Sequence, residues 1–162
     1  MLKKTYKIYL FYLILVLILF MIDRVTKIYI LNILDNEGVV NISINKFINL
    51  FLVWNSGIGF GLIPTENRII YNFISLVIIL INILLIYFCV SADKVRSIFF
   101  LIIIGGSLGN LFDRIYYSAV PDFIDFHYKD FHWFIFNFAD IFISIGVFCL
   151  IFVELLEYKK KQ

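Results

Sequence analysis

Residues 96–115 read RSIFFLIIIGGSLGNLFDRI, with a charge at the start and no other until Asp113. About 20 mostly apolar residues is the length that crosses a bilayer as one helix. Three more segments share this character, roughly 6–31, 68–90 and 136–156. The polar link Ser91-Ala92-Asp93-Lys94-Val95-Arg96 joins the second of the four spans to the third. Over the whole chain 62% of residues are hydrophobic, against about 45–50% in soluble domains. The expectation is one membrane domain over 1–162, all-α, with four transmembrane helices and no internal repeat.

Composition excludes several classes. Aromatic residues make up 19% of the chain, which suits lipid contact and interfacial anchoring. A net charge of +2, with basic runs only at the termini, gives no footprint for nucleic acid. The two cysteines, Cys89 and Cys149, lie in apolar runs without CxxC or Cys/His spacing. They read as small buried hydrophobes. Lys3, Lys4 and Lys7 followed by Ile8 to Ile22 imitate a signal peptide, but no small-x-small cleavage site follows. The apolar run continues to Leu31, so a retained transmembrane helix is expected.

Basic residues orient the spans. Lys3, Lys4 and Lys7, the pair Lys94 and Arg96, and Lys159 to Lys161 share one side of a four-span chain. The loops of the other side carry only Lys46 and Lys129 clear of the helix ends. Both termini are therefore expected to be cytoplasmic. The first outer loop, about 35–66, is expected to be β-rich: Val40, Ile42 and Ile44 alternate with polar neighbours, and Phe47 to Trp54 form a second apolar run. Period-two alternation around Asn45-Lys46 predicts a hairpin. Tyr128 to Phe136 mixes aromatics with polar residues and reads as an interfacial segment. His127 and His132 lack metal-ligand spacing along the chain, so no metal site is expected.

Ionisable groups within the spans carry the functional signal, because each is expensive in hydrocarbon. At about 1.5 Å per residue, Asp23 lies about 24 Å above Lys7, and Asn110 and Asp113 about 21 and 26 Å above Arg96. Asp140 lies about 28 Å above Lys159. Three helices thus bring polar groups to the outer third of a core about 30 Å thick. Residues three or four apart share a face, which groups Asp23, Thr26 and Lys27; Asn110, Asp113 and Arg114; and Asn137, Asp140 and Ser144. Gly105 and Gly109 form a small-xxx-small pair that admits a neighbouring backbone. Asp23 with Lys27, and Asp113 with Arg114, also fit plain structural ion pairs. Asp140 has no basic residue within four positions, and Asp122 and Asp125 are its candidate partners.

Two aspartates held close together share a proton near neutral pH. The charged one can act as general base on water, and the protonated one can polarise a carbonyl and then protonate the leaving amine. Such a dyad needs no cofactor. No serine has a GxSxG context, and Lys27 is the only lysine near the polar plane, so a Ser-Lys site is the weaker alternative.

Five blocks carry a resemblance to a known family: Asp23-Arg24-Val25-Thr26-Lys27; residues 55–61, NSGIGFG; residues 105–114, GGSLGNLFDR; residues 120–126, VPDFIDF; and Phe136-Asn137-Phe138-Ala139-Asp140. In order and spacing the chain resembles the lipoprotein signal peptidases, signal peptidase II. The resemblance implies an intramembrane aspartyl endopeptidase with four helices and a small extracytoplasmic β-cradle. It implies Asp122 and Asp140 as the catalytic dyad, a choice that spacing alone leaves open among Asp122, Asp125 and Asp113. Supporting or substrate-contacting roles fall to Asp23, Lys27, Asn110, Asp113, Arg114 and Asn137, with Asn55 and Gly57 on the cradle. Pro121 stands where the family has an aliphatic residue, and Ile58-Gly59 replaces its commoner small pair.

The implied substrate is a prolipoprotein, cut before its diacylglyceryl-modified cysteine at the outer leaflet of the bacterial cytoplasmic membrane. Gly57, Gly59, Gly61, Gly105, Gly106 and Gly109 leave room for peptide and acyl chains, and the implied partners are that substrate and membrane lipid, with a monomeric enzyme. A proton or ion transporter would need titratable groups through the bilayer, yet spans two to four lack them in their cytoplasmic halves, apart from Glu154 and Glu157. A non-enzymatic assembly factor would tolerate asparagine at Asp122 and Asp140.

Overall fold

The computed structural model describes residues 2–57, 67–129 and 131–160. Four helices are long and apolar enough to cross a membrane: α1 (Leu2–Glu37), α2 (Arg68–Ser91), α3 (Lys94–Tyr117) and α4 (Phe138–Lys160). At 36 residues, α1 is about 54 Å long and continues past the expected span to support the sheet. Helix α3 packs against all three others and buries more of its length than they do.

Glycines explain the central place of α3. A β-carbon on Gly105 would lie 2.8 Å from Leu19 Cβ, and one on Gly106 would lie 2.5 Å from the Ala139 carbonyl oxygen. One on Gly109 would meet the Asp23 carboxylate. The small-xxx-small pair therefore receives Leu19 and Asp23, one turn apart on α1, while Gly106 admits the start of α4. Between α2 and α3 the contact is polar: Asn82 Nδ2 donates to Ser107 Oγ at 2.7 Å, giving the amide donor a partner where lipid offers none. Lower in the bundle, Cys89 packs with Leu101 and Ile104. Cys149 is partly buried, and both cysteines are free.

Arg96, at the start of α3, reaches Glu154 and Glu157 near the end of α4 at 2.8 and 2.7 Å. That fixes one end of the bundle. At the other end lies a four-stranded antiparallel sheet in the order β1 (Asn41–Asn45), β2 (Ile48–Asn55), β3 (Val120–Tyr128) and β4 (Phe131–Phe136). The predicted β1–β2 hairpin turns at Lys46-Phe47, where Asn45 Oδ1 accepts from the Phe47 and Ile48 amides. The glycine block is described only to Gly57; Ile58, Gly59 and Gly61 lie outside the described residues.

One feature adds to the sequence reading and another corrects it. The segment expected to lie at the interface is a strand pair, β3–β4, that completes the same sheet. Its turn is made by Lys129 at φ 54°. Helix α4 begins at Phe138, so Asn137 precedes the helix and does not share a helical face with Asp140 and Ser144. Asp140 N donates to Asn137 Oδ1 at 3.2 Å, and Asn137 N donates to Asp140 Oδ2 at 3.1 Å. This reciprocal pair is a capping box. Below the sheet, Val40 and Phe123 pack on Ile30 of α1, which seats β3 over the bundle.

Candidate active site

The buried interior is polar where α1 meets α3, whereas the outward faces of α1, α2 and α4 are apolar. Asp23, Lys27 and Asp113 are all fully buried. Lys27 Nζ donates to Asp23 Oδ2 at 2.9 Å, to Asn110 Oδ1 at 2.8 Å and to Asp113 Oδ2 at 2.6 Å. Three acceptors exhaust the ammonium's donors. Arg24 completes the cluster: its Nη2 lies 2.6 Å from Asp113 Oδ1 and 3.6 Å from Asp23 Oδ2. The shorter contact is off-axis, a pairing of charge more than an aligned hydrogen bond. The guanidinium also lies over the Phe112 ring, 4.8 Å from its centroid.

Two carboxylates and two cations thus neutralise each other. The expected Asp23–Lys27 pair is present, but Asp113 pairs with Arg24 and Lys27, not with Arg114. Adjacent helical positions point about 100° apart, and here that turns Asp113 onto α1 while Arg114 reaches the Gly57 carbonyl. Sequence reasoning passed over Arg24. Its signal was available in the same arithmetic, since a cation one position after Asp23 faces whichever helix packs beside that residue.

Asp23 also reaches α4, where its Oδ1 accepts from the Ala139 amide at 3.0 Å. The first-turn amides of a helix have no partner within it, and the positive end of the helix dipole favours an anion there. From Lys27 the hydrogen bonding runs on through Asn110, whose Nδ2 donates to Asp140 Oδ1 at 2.8 Å. Asp140 is therefore held by an amide side chain on one oxygen and by the Asn137 backbone on the other.

Asn137 links Asp140 to Asp122. Its Nδ2 donates to Asp122 Oδ1 at 2.5 Å, while its Oδ1 caps α4. The other oxygen of Asp122 accepts from Asn55 Nδ2 at 2.9 Å. Asn55 Oδ1 in turn accepts from the Gly57 amide at 2.9 Å, and Arg114 Nη2 donates to the Gly57 carbonyl at 2.6 Å. Tyr71 Oη donates to the Arg114 carbonyl at 3.2 Å. Among the described residues, neither Asp122 nor Asp140 has an ion-pair partner; neutral amides hold both. Burial, and then the nearby Asp140 charge, push the Asp122 carboxyl up to about 7, against the lowering effect of Asn55 and Asn137.

The third carboxylate that spacing left open is elsewhere. Asp125 is paired with His132 on the adjacent strand. Asp140 borders two apolar spaces. One, of about 420 Å³, runs between α2, α3 and α4, with Phe73, Val77 and Ile143 in its walls and Asn110 and Arg114 beside the carboxylate. The other, of about 280 Å³, lies under β4 against Phe134 and Phe136. Asp140 thus borders oily grooves, while Asp122 is buried beside Asn55 and Asn137.

The model of the signal peptidase (SPase) II family matches residues 15–156. A lipoprotein signal peptidase of Pelagibacter ubique is 52% identical over 149 residues, covering 92% of this chain and 90% of that protein. One of Anaplasma marginale is 37% identical over 147 residues, covering 90% and 84%. A solved bacterial membrane enzyme superposes with a TM-score of 0.78 at 26% identity, covering 93% of this chain and 91% of that one.

Proposed function

The chain belongs to the signal peptidase II family, and from that premise we propose that it is an aspartyl endopeptidase that cuts prolipoproteins before a diacylglyceryl-modified cysteine. The observation that carries the reading is Asn137, which binds Asp122 with its side chain and Asp140 with its backbone. Asp122, raised to about 7, holds the shared proton and donates it first to the scissile carbonyl. Asp140, fixed by Asn110 and Asn137, takes a proton from the attacking water. The tetrahedral intermediate then collapses as the leaving amine receives a proton from the pair. Asn55 and Asn110 keep the two carboxylates turned towards one position.

The grooves support the substrate assignment. The lipid on the cysteine keeps the cleavage site at membrane depth, and the signal helix lies between α2 and α4 in the larger apolar groove. Arg114 lines that groove, and its Nε and Nη1 are buried without a partner among the described residues. They are free to bind substrate carbonyls. Arg114→Ala should therefore lower kcat/KM by about tenfold to a hundredfold, the worth of one charged hydrogen bond. Unchanged kinetics would remove Arg114 from substrate binding. In the orientation favoured by the basic residues, the bundle end with Arg96 is cytoplasmic and the sheet faces outward.

The direct test is cleavage of a diacylglyceryl-modified prolipoprotein by purified protein in detergent, with product masses locating the bond. A cut anywhere other than before the modified cysteine refutes the substrate assignment. The pH profile is a second test. With Asp122 protonated below about 7 and ionised above it, the singly protonated pair is lost on the alkaline side. Activity should fall by about tenfold per unit well above pH 7. A flat profile from pH 6 to 9 would show that no such proton is used.

A further inference from the structure

The outer end of the β3–β4 hairpin gathers groups that the peptidase reading does not use. His127 and His132 are register partners across the hairpin, and their rings stack with centroids 5.3 Å apart. Both turn Nδ1 towards Asp125. His132 Nδ1 lies 3.0 and 2.8 Å from the two carboxylate oxygens, and His127 Nδ1 lies 3.7 Å from Oδ2. Asp125 itself is buried at 2% exposure, while the His132 side chain is 55% exposed. One ligand atom from each of the three residues lies within 4.8 Å of the others.

We propose that Asp125, His127 and His132 form a binding site for a divalent transition-metal ion of the zinc class. Two observations beyond proximity favour it. His127 Nδ1 and Asn49 Oδ1 are both buried without a hydrogen-bonding partner among the described residues. Asn49 is the register partner of Asp125 on β2, so its orphaned oxygen sits on the strand beside the carboxylate. A single dication among the three would give the His127 nitrogen the partner it lacks and bind the buried carboxylate at the same time.

Two nitrogens and one carboxylate oxygen form the donor set of open, three-ligand zinc sites, with ligand bonds of about 2.0–2.2 Å. Tetrahedral ligands at that length are about 3.3 Å apart, so binding draws the most distant pair together by roughly 1.5 Å. His132 is exposed enough to make that movement. The site lies apart from the proposed dyad, since Asp122 binds Asn55 and Asn137 while Asp125 binds the histidines. Its occupant would staple β3 to β4 at the tip of the hairpin. Lys129, in the turn, places its ammonium over the Tyr128 ring and makes no ion pair with Asp125.

The test is titration of untagged, detergent-purified protein with Zn²⁺ by calorimetry, and with Co²⁺ by visible absorption. The wild type should take up one equivalent in the micromolar range or tighter, with the intense bands of tetrahedral Co²⁺. Loss of a second-shell partner alone weakens metal binding about 10–100-fold, so His132→Ala and His127→Ala should each weaken it at least about 100-fold. Because His132 is exposed, its variant should fold. Asp122→Asn should keep full metal affinity while losing cleavage, which separates this proposal from the peptidase reading. Sub-stoichiometric uptake by the wild type, or wild-type affinity in either histidine variant, would overturn the site.

Discussion

Asp122→Asn and Asp140→Asn should each lower the cleavage rate by at least about 10⁴-fold, since acid–base roles are worth about 10²–10⁴ each and members of a unit fail together. Asparagine preserves size, so the loss is chemical. Each carboxylate accepts from two amide donors: Asp122 from Asn55 and Asn137, and Asp140 from Asn110 and the Asn137 backbone. An asparagine at either position must turn its own NH₂ towards one of those donors. That mismatch costs about 1–3 kcal/mol locally, partly offset because a neutral group no longer has to be buried as an anion. Thermal melting in the same detergent will register the small structural effect, and a single-turnover assay the large catalytic one. Retention of more than a few per cent of wild-type rate by both variants would end the aspartate mechanism.

Lys27→Met should destabilise the fold by about 3–5 kcal/mol, the usual result of breaking a buried ion pair from one side. The variant leaves Asp23 and Asp113 sharing Arg24 alone, and deprives Asn110 of the donor at its Oδ1. A compensating change makes the test specific. Lys27→Met with Asp113→Asn restores neutrality, one carboxylate to one guanidinium, and should recover a substantial part of the loss. The coupling read from the double-mutant cycle should be at least about 1 kcal/mol. Additive losses would mean that the two residues serve separate structural needs and that the cluster is no electrostatic unit.

The spans were legible because a bilayer demands length and apolarity of each segment separately, which is local information. The depth count succeeded for a similar reason: helical rise is constant, so Asp23, Asn110 and Asp140 could be placed at one level without knowing which helices touch. Facing was harder. Asp113 was weighed with Arg114, its chain neighbour, whereas the bundle gives it Arg24 and Lys27 of another helix. Strand pairing was harder still. Tyr128 to Phe136 lacks clean alternation because a register shift falls between Phe126 and His127. β3 is held by β2, more than 60 positions away along the chain, and β4 pairs with β3 in turn. The histidines show the same limit, since spacing along the chain carries no trace of a register that sets them opposite each other. Spacing left Asp122, Asp125 and Asp113 open as the partner of Asp140, the family resemblance implied Asp122, and the folded positions of Asn137 and the histidines support that choice.

The cluster of Asp23, Arg24, Lys27 and Asp113 draws all its charges from α1 and α3. During synthesis it can therefore close before β3 and α4 leave the ribosome. In a part-made chain of three helices this cluster already carries no net charge. What that chain lacks is the segment from β3 onward, which brings Asp122, Asn137 and Asp140 and docks the Ala139 amide on a carboxylate prepared 116 positions earlier. Under the proposed mechanism, a truncated or stalled chain is thus a stable, inert membrane protein, and hydrolytic competence arrives only with the final span.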